Sequence, residues 1–488
     1  MLSVLSILNL ISVLLSITFQ ILLIRVFGVH LETDIYYLSI LIIQFIHIFL
    51  GFVTDLYIPF YNDIRTKDEK KANEFQNSIY SLVFFISIII SALFFFFSKF
   101  FIKIFARGFE YERILFASSI LKILSIYLLF LFLNSYIEIV LKANFYVTFP
   151  FFMNIFPPFF NLLSLIFFSK TFGIKAIIYS MVFSTILIFL IYNLFFLKKL
   201  RIFFINPFKK KREIFYLIKQ NILVKLGGMI WGLNSPIMTN VLSYFPIGYI
   251  TLFTYTNRFI SFISDIINSP IFQVFYLKVS RYLSENNIEA VKNVSDKILR
   301  ATLLLFFISV LFSLMIFKKF FLFLFYPKLT FEHISIMYFI FLSLIPYYTI
   351  LIFESIFKNI TLCMKKGLKV LQIAIVYIIL YSLFLISTIN YFKIYSVPFS
   401  LFFAQTYNAF SYFFYVNKKM KVMDKVIMRN LFEFSLFFLF LIILNFFLEN
   451  KDSFRIFLNL FLFLIFYLKR RNEIYDSIRF LMRKGEIK

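Results

Sequence analysis

Ser81-Leu-Val-Phe-Phe-Ile-Ser-Ile-Ile-Ile-Ser-Ala-Leu-Phe-Phe-Phe-Phe97 lies in a stretch with no charged residue between Glu74 and Lys99. A helix rises about 1.5 Å per residue, so such a run spans the roughly 30 Å hydrocarbon core of a bilayer. Comparable runs recur along the chain. They mark fourteen candidate helices, over 3–26, 35–61, 77–102, 114–140, 146–169, 174–197, 217–244, 249–276, 300–326, 334–357, 368–392, 395–417, 430–448 and 453–468. Hydrophobic residues make up 61% of the 488, Phe alone numbers 78, and the mean hydropathy is +0.90. A soluble core of this length needs far less apolar surface. The expected fold class is all-α, a polytopic membrane protein.

The charged residues set the topology. The net charge of +26 would suggest nucleic acid in a soluble protein, but here the basic residues sit in short loops between apolar runs. Anionic lipid headgroups are their expected partners, with no nucleic acid. Even-numbered loops and the carboxyl tail hold 34 of the 50 Lys and Arg residues, and odd-numbered loops hold 13. The positive-inside rule therefore places both termini in the cytoplasm. Arg25 argues locally the other way. The connection Lys198–Lys219, with Asn206-Pro207 and Lys209-Lys210-Lys211-Arg212, is the strongest break. It divides a six-helix lobe, 1–200, from a second, 213–417, followed by two further helices over 430–468 and a basic tail, 469–488. Two six-helix halves are a common transporter plan. The tail, with Ile474, Ile478, Leu481 and Met482 among Arg479, Arg483 and Lys484, reads as a helix lying on the inner membrane surface.

Within the spans, polar residues fall at helical spacing. The eighth carries Thr251, Thr254, Arg258, Ser261, Asp265 and Asn268, at intervals of 3, 4, 3, 4 and 3, which share one helix face. Such a stripe is costly against lipid and should face water or the bundle interior. Arg258 and Asp265 either line a cavity or pair with neighbouring helices. The second span has Gln44, His47, Gly51 and Asp55 in line; His47 is either a proton-coupling group or a hydrogen-bonded interior residue. Asn9, Ser12 and Ser16 make a weaker line in the first. Lys225 lies about two turns into the seventh, where it can snorkel. For Glu354, four residues before Lys358, an i,i+4 ion pair is the simplest reading. Pro150, Pro157 and Pro158 should break or bend the fifth span. No P-loop, H-E-x-x-H or paired-Cys motif occurs, and Cys363 stands alone, so neither a nucleotide, a metal nor any other cofactor is expected.

Arg25-Val-Phe-Gly28 followed by Glu32-Thr-Asp34-Ile-Tyr-Tyr37 resembles the MurJ/MviN family of lipid II flippases. Gly51 and Pro59, Pro157 to Asn161, Tyr255-Thr-Asn-Arg258, Phe325-Tyr326, Thr330 and Asn408 continue the likeness in order along the chain. The resemblance implies a two-lobed exporter fold in which arginines meet a pyrophosphate headgroup. Carried over residue by residue, it gives Arg25 and Arg258 as substrate-binding; Asp34 joins them from its motif. Gln44, His47, Thr254, Ser261 and Asp265 come from the polar stripes. Further family arginines fall at Phe19, Phe45 and Ile46, so the implied cavity is less cationic than the family pattern. A sodium site described for some relatives would need a carboxylate in the seventh or eleventh span, and neither has one. The expectation is a transporter of the cytoplasmic membrane, not an enzyme. Its expected partners are a lipid-linked glycan, membrane lipids and cell-wall synthesis enzymes. An O-antigen or capsule-repeat flippase, a cation-coupled drug exporter and a non-transport membrane scaffold are the competing readings.

Overall fold

The computed structural model describes residues 2–48, 57–144, 146, 148–207, 209–326, 328–364, 366–420, 445, 459 and 462; within its helices a few side chains, those of Asn9, Asp265 and Asn268 among them, lie outside the description. The expected helices at 430–448 and 453–468 and the tail 469–488 lie outside the described residues, save those last three positions. The described chain is helical, with no strand, and packs into two compact units. One comprises Met1–Thr251 with Leu324–Leu329, the other Leu252–Phe323 with Thr330–Lys488.

The first unit runs through α1 (Leu2–Phe27), α2 (Leu31–His47), α3 (Tyr57–Arg65), α4 (Glu69–Phe96), α5 (Ser98–Phe105), α6 (Tyr111–Ala143), α7 (Thr148–Met153), α8 (Phe156–Phe172), α9 (Lys175–Tyr192), α10 (Lys211–Gly232) and α11 (Asn234–Leu242), ending at the start of α12 (Tyr249–Ser284). Proline accounts for two of the breaks. Pro157 and Pro158 open α8, where a missing N–H costs nothing, so the fifth expected span is two helices. Pro236 cannot bond back to residue 232, and α10 stops there.

Helix α4 shows what solvent the fold is built for. Its buried face carries Gln76, Asn77, Ser78, Ser81, Ser87 and Ser91, while Phe85, Ile89, Phe95 and Phe96 point outward, the last 75% exposed. Polar groups inside and phenylalanines outside invert the soluble pattern and suit a hydrocarbon surround. Three of the serines bond back to their own helix: Ser78 donates to the Glu74 carbonyl (2.8 Å), Ser81 to Asn77 (3.0 Å) and Ser87 to Phe84 (2.8 Å). Against α6, Tyr57 stacks on Phe75 and meets Tyr136 edge-on, and the Tyr136 hydroxyl donates to the Gln76 carbonyl at 2.7 Å. The long connection after α9 is pinned onto the same helix. Gln76 Nε2 donates to Leu200 O and Asn77 Nδ2 to Arg201 O, each at 3.1 Å; Ser81 Oγ accepts from Ile205 N at 3.0 Å; Lys209 and Lys210 pair with Glu74 at 3.0 and 3.2 Å.

The second unit holds the rest of α12, then α13 (Ile288–Phe325, up to Phe323), α14 (Phe331–Cys363), α15 (Gly367–Phe392) and α16 (Ser396–Met420). Helix α16 packs along both α14 and α15. Phe259, Phe317, Phe321, Tyr338 and Phe341 form its aromatic centre. The Tyr338 hydroxyl donates to Asn445 Oδ1 (3.1 Å), and Asn445 and Asn459 exchange amide hydrogen bonds at 3.0 and 3.1 Å. Such buried polar pairs join helices where lipid offers no hydrophobic drive.

Among the described residues eight stretches are long and apolar enough to cross a membrane: Leu10–Phe27, Glu69–Phe96, Tyr111–Ala143, Thr148–Phe172, Lys175–Leu197, Ile288–Phe325, Phe331–Cys363 and Gly367–Met420. The last contains both α15 and α16. The second, seventh and eighth expected spans fall short of that standard. Helix α2 is 17 residues long, the seventh is split at Gly232, and α12 carries the polar stripe.

Candidate functional site

In the first unit the site region begins where α1 ends. Gly28 adopts φ +66°, the left-handed conformation that closes a helix, and its N–H bonds Ile24 O at 2.7 Å. The next helix starts at once. Thr33 Oγ1 accepts from His30 N at 3.0 Å and donates to His30 O at 2.8 Å, which fixes the turn. Asp34 follows, 3% exposed. Its Oδ2 accepts from Gly248 N (2.6 Å), and its Oδ1 from Thr251 N (2.8 Å) and Thr251 Oγ1 (2.5 Å). A carboxylate thus sits on the first N–H groups of α12, where the helix dipole is positive. Close approach is possible because Gly248 has φ +96° and no Cβ; a Cβ there would lie 2.3 Å from Val29 Cγ1. The Thr-Asp motif is a clasp on the first turn of α12.

Arg25 is exposed, and its Nε donates to Leu324 O at 2.6 Å. That carbonyl belongs to the last turn of α13, whose final acceptors have no partner within the helix. The contact uses one of the five guanidinium N–H donors. Gln44 is exposed on α2. One turn on, His47 is half-buried, bonds Ser135 Oγ through Nε2 at 2.9 Å and stacks over Phe132. Lys225 of α10 lies within electrostatic reach of His47. The snorkelling reading did not anticipate that proximity, and no spacing along one helix could have shown it. Of the positions expected to hold family arginines, Phe19 is buried and Phe45 packs edge-on to Phe105.

In the second unit α12 is continuous through the stripe. Thr254 is 5% exposed, and its hydroxyl has no hydrogen-bond partner among the described residues. Arg258 and Ser261 are half-buried, and the Ser261 hydroxyl donates to Arg258 O at 3.0 Å. The neighbouring Asn257 side chain accepts from the Tyr348 hydroxyl at 3.0 Å, which ties this turn to α14. The Asp265 side chain lies outside the described residues. Burial therefore falls along the stripe from Thr254 to the half-buried Arg258 and Ser261.

Residues 23–467 match the family described as lipid II flippase MurJ, a span that takes in both units. The chain belongs to the lipid II flippase MurJ family. Among solved structures it is similar to a lipid II flippase MurJ in an inward closed conformation, with a TM-score of 0.78 at 19% identity over 96% of this chain and 99% of that one. An inward-facing multidrug resistance MATE family transporter of the MOP superfamily follows, with a TM-score of 0.69 at 14% identity over 85% and 98%. A MOP superfamily transporter from Pyrococcus furiosus, described as having a binding pocket of reverse polarity, gives 0.63 at 14% over 86% and 95%. These likenesses are of fold. No curated protein matches the chain significantly in sequence. Membership of the MurJ family makes this a multi-pass membrane protein of the flippase kind for lipid-linked precursors, a transporter and not a catalyst.

Proposed function

We propose that this MurJ family member carries a polyprenyl-pyrophosphate-linked saccharide, the peptidoglycan precursor lipid II, from the inner to the outer leaflet of the cytoplasmic membrane by alternating access. The observation that carries the reading is Arg258, half-buried on α12 beside Thr254 and Ser261, in a chain that matches the family over residues 23–467. A charge in such a span is costly unless it works, and a guanidinium fork pairs with phosphate oxygens in two-point geometry. Arg258 and Arg25 engage the pyrophosphate. Thr254, Ser261, Gln44 and His47 offer neutral hydrogen bonds to the sugar, Asp265 continues the same face of α12, and Asp34 positions α12. The apolar tail stays in lipid, since nothing in the chemistry requires it to leave. The loop charges support cytoplasmic termini.

Arg258→Ala should abolish complementation of a conditional flippase mutant at unchanged protein level, with lipid II accumulating on the inner leaflet. Arg258→Lys should retain part of the activity, because it keeps the charge and loses the fork. Full complementation by Arg258→Ala would remove this residue from the mechanism.

A further inference from the structure

Lys122 lies on α6 within a stretch apolar enough to cross a membrane, yet its side chain is exposed. The ammonium stands over the Phe95 ring of α4 at 5.7 Å and forms no ion pair among the described residues. A charge turned toward hydrocarbon is costly unless something meets it. Its depth says what can. Lys142, near the other end of α6, lies about 30 Å further along the helix, the thickness of the hydrocarbon core. Phe95 sits in the last turn of α4, one turn before Lys99, the first charge after the apolar run. Lys122 therefore stands at the level of lipid phosphates rather than in mid-bilayer.

The same edge carries more charge. Helix α5 turns Ser98, Ile102 and Phe105 inward and packs along α6, with Phe101 stacked on Phe94 at 4.0 Å. Lys99 and Lys103, one turn apart, share an exposed flank; Phe100 and Ile104, also one turn apart, are exposed beside them. Phe95 and Phe96, at the end of α4, are exposed as well. Neither Lys99 nor Lys103 pairs with a carboxylate among the described residues. A short helix with one cationic and one apolar flank suits the boundary between headgroups and acyl chains. With the cytoplasmic termini proposed above, this edge lies on the outer side, where the positive-inside rule disfavours lysine. Topology therefore does not account for the cluster.

We propose that Lys99, Lys103 and Lys122, with Phe95, Phe96 and Phe100, form a docking surface for an anionic glycerophospholipid of the outer leaflet. Ammonium groups at headgroup depth complement phosphodiester oxygens through charge-assisted hydrogen bonds, and the exposed rings offer apolar surface to an acyl chain. A carboxylate on a neighbouring transmembrane helix would complement a cation in mid-bilayer; the boundary depth of Lys122 favours the lipid. The surface is built from α4, α5 and α6 alone, and does not depend on which substrate is carried.

The purified full chain in nanodiscs tests it, carrying Cys363→Ser and a fluorophore on Phe97→Cys, an exposed position beside the cluster. Quenching by nitroxide-labelled phosphatidylglycerol is compared with quenching by equally labelled phosphatidylcholine at one mole fraction. The anionic lipid should be preferred at least threefold. Lys99→Gln with Lys122→Gln, both at exposed positions where folding is not at stake, should bring that preference close to one. Lys198→Gln with Lys199→Gln, an equal loss of charge at the other end of the unit, should leave it intact. Equal quenching by the two lipids in the parent would overturn the proposal. So would a preference that survives the loss of Lys99 and Lys122, which would mark attraction by net charge or a site elsewhere. Transport is not read, so a wrong topology would move the surface to the other leaflet and leave the preference unchanged.

Discussion

Replacing Asp34 offers the sharpest test of what holds the first turn of α12. Its carboxylate accepts three hydrogen bonds at 3% exposure, from Gly248 N, Thr251 N and Thr251 Oγ1. Asp34→Ala leaves two backbone N–H groups and a hydroxyl buried without acceptors, at about 1–3 kcal/mol each. The hydroxyl can turn to its own helix, so the expected loss is about 4 kcal/mol, including about 0.5 kcal/mol from the helix dipole. Asp34→Asn keeps one oxygen but turns an NH2 toward a donor, and should lose about 2 kcal/mol. Thr251→Val removes only the hydroxyl and should lose about 1 kcal/mol. Denaturant titration of the purified chain in mixed micelles measures all three, and a double-mutant cycle between Asp34→Asn and Thr251→Val should show coupling of about 1 kcal/mol. An alanine variant within 1 kcal/mol of the native chain, or asparagine as damaging as alanine, would refute the clasp.

Two further outcomes follow from the same geometry. Gly248→Ala places a Cβ 2.3 Å from Val29 Cγ1 at φ +96°, so it should lose about 2–3 kcal/mol; Val29→Ala should restore only the steric part, read by the same titration. Asn77→Ala, which removes bonds to Arg201 O and Phe203 N, should speed tryptic cleavage at Lys209–Arg212 severalfold, while Glu74→Gln should do so less, because its ion pairs are partly exposed. Equal cleavage in all three proteins would show that the connection is not held by α4.

Among the described residues the first twelve expected helices each find a helical counterpart, the second only in part, because a run such as Ser81–Phe97 dictates a helix in lipid whatever surrounds it. The pairing of Glu354 with Lys358 was legible for the same reason, being set by one helical turn. Other features were hidden by distance along the chain. Asp34 reads as a substrate residue by its motif, yet its partners lie more than 200 residues away and are mostly backbone, which no side-chain pattern reveals. Gln405, Asn408 and Tyr412 share one face of α16, a polar stripe that spacing alone could have exposed.

By itself the sequence determined that this chain is a bundle of membrane helices with arginines where hydrocarbon would exclude them, since periodicity and apolar length are local properties. Tertiary structure decided which polar groups meet: Asp34 with the start of α12, His47 with Ser135, Glu354 with Asn408. In a chain whose surface is as apolar as its interior, hydrophobicity cannot say which face turns inward. That choice falls to a few buried hydrogen bonds, and these form only once the helices are packed.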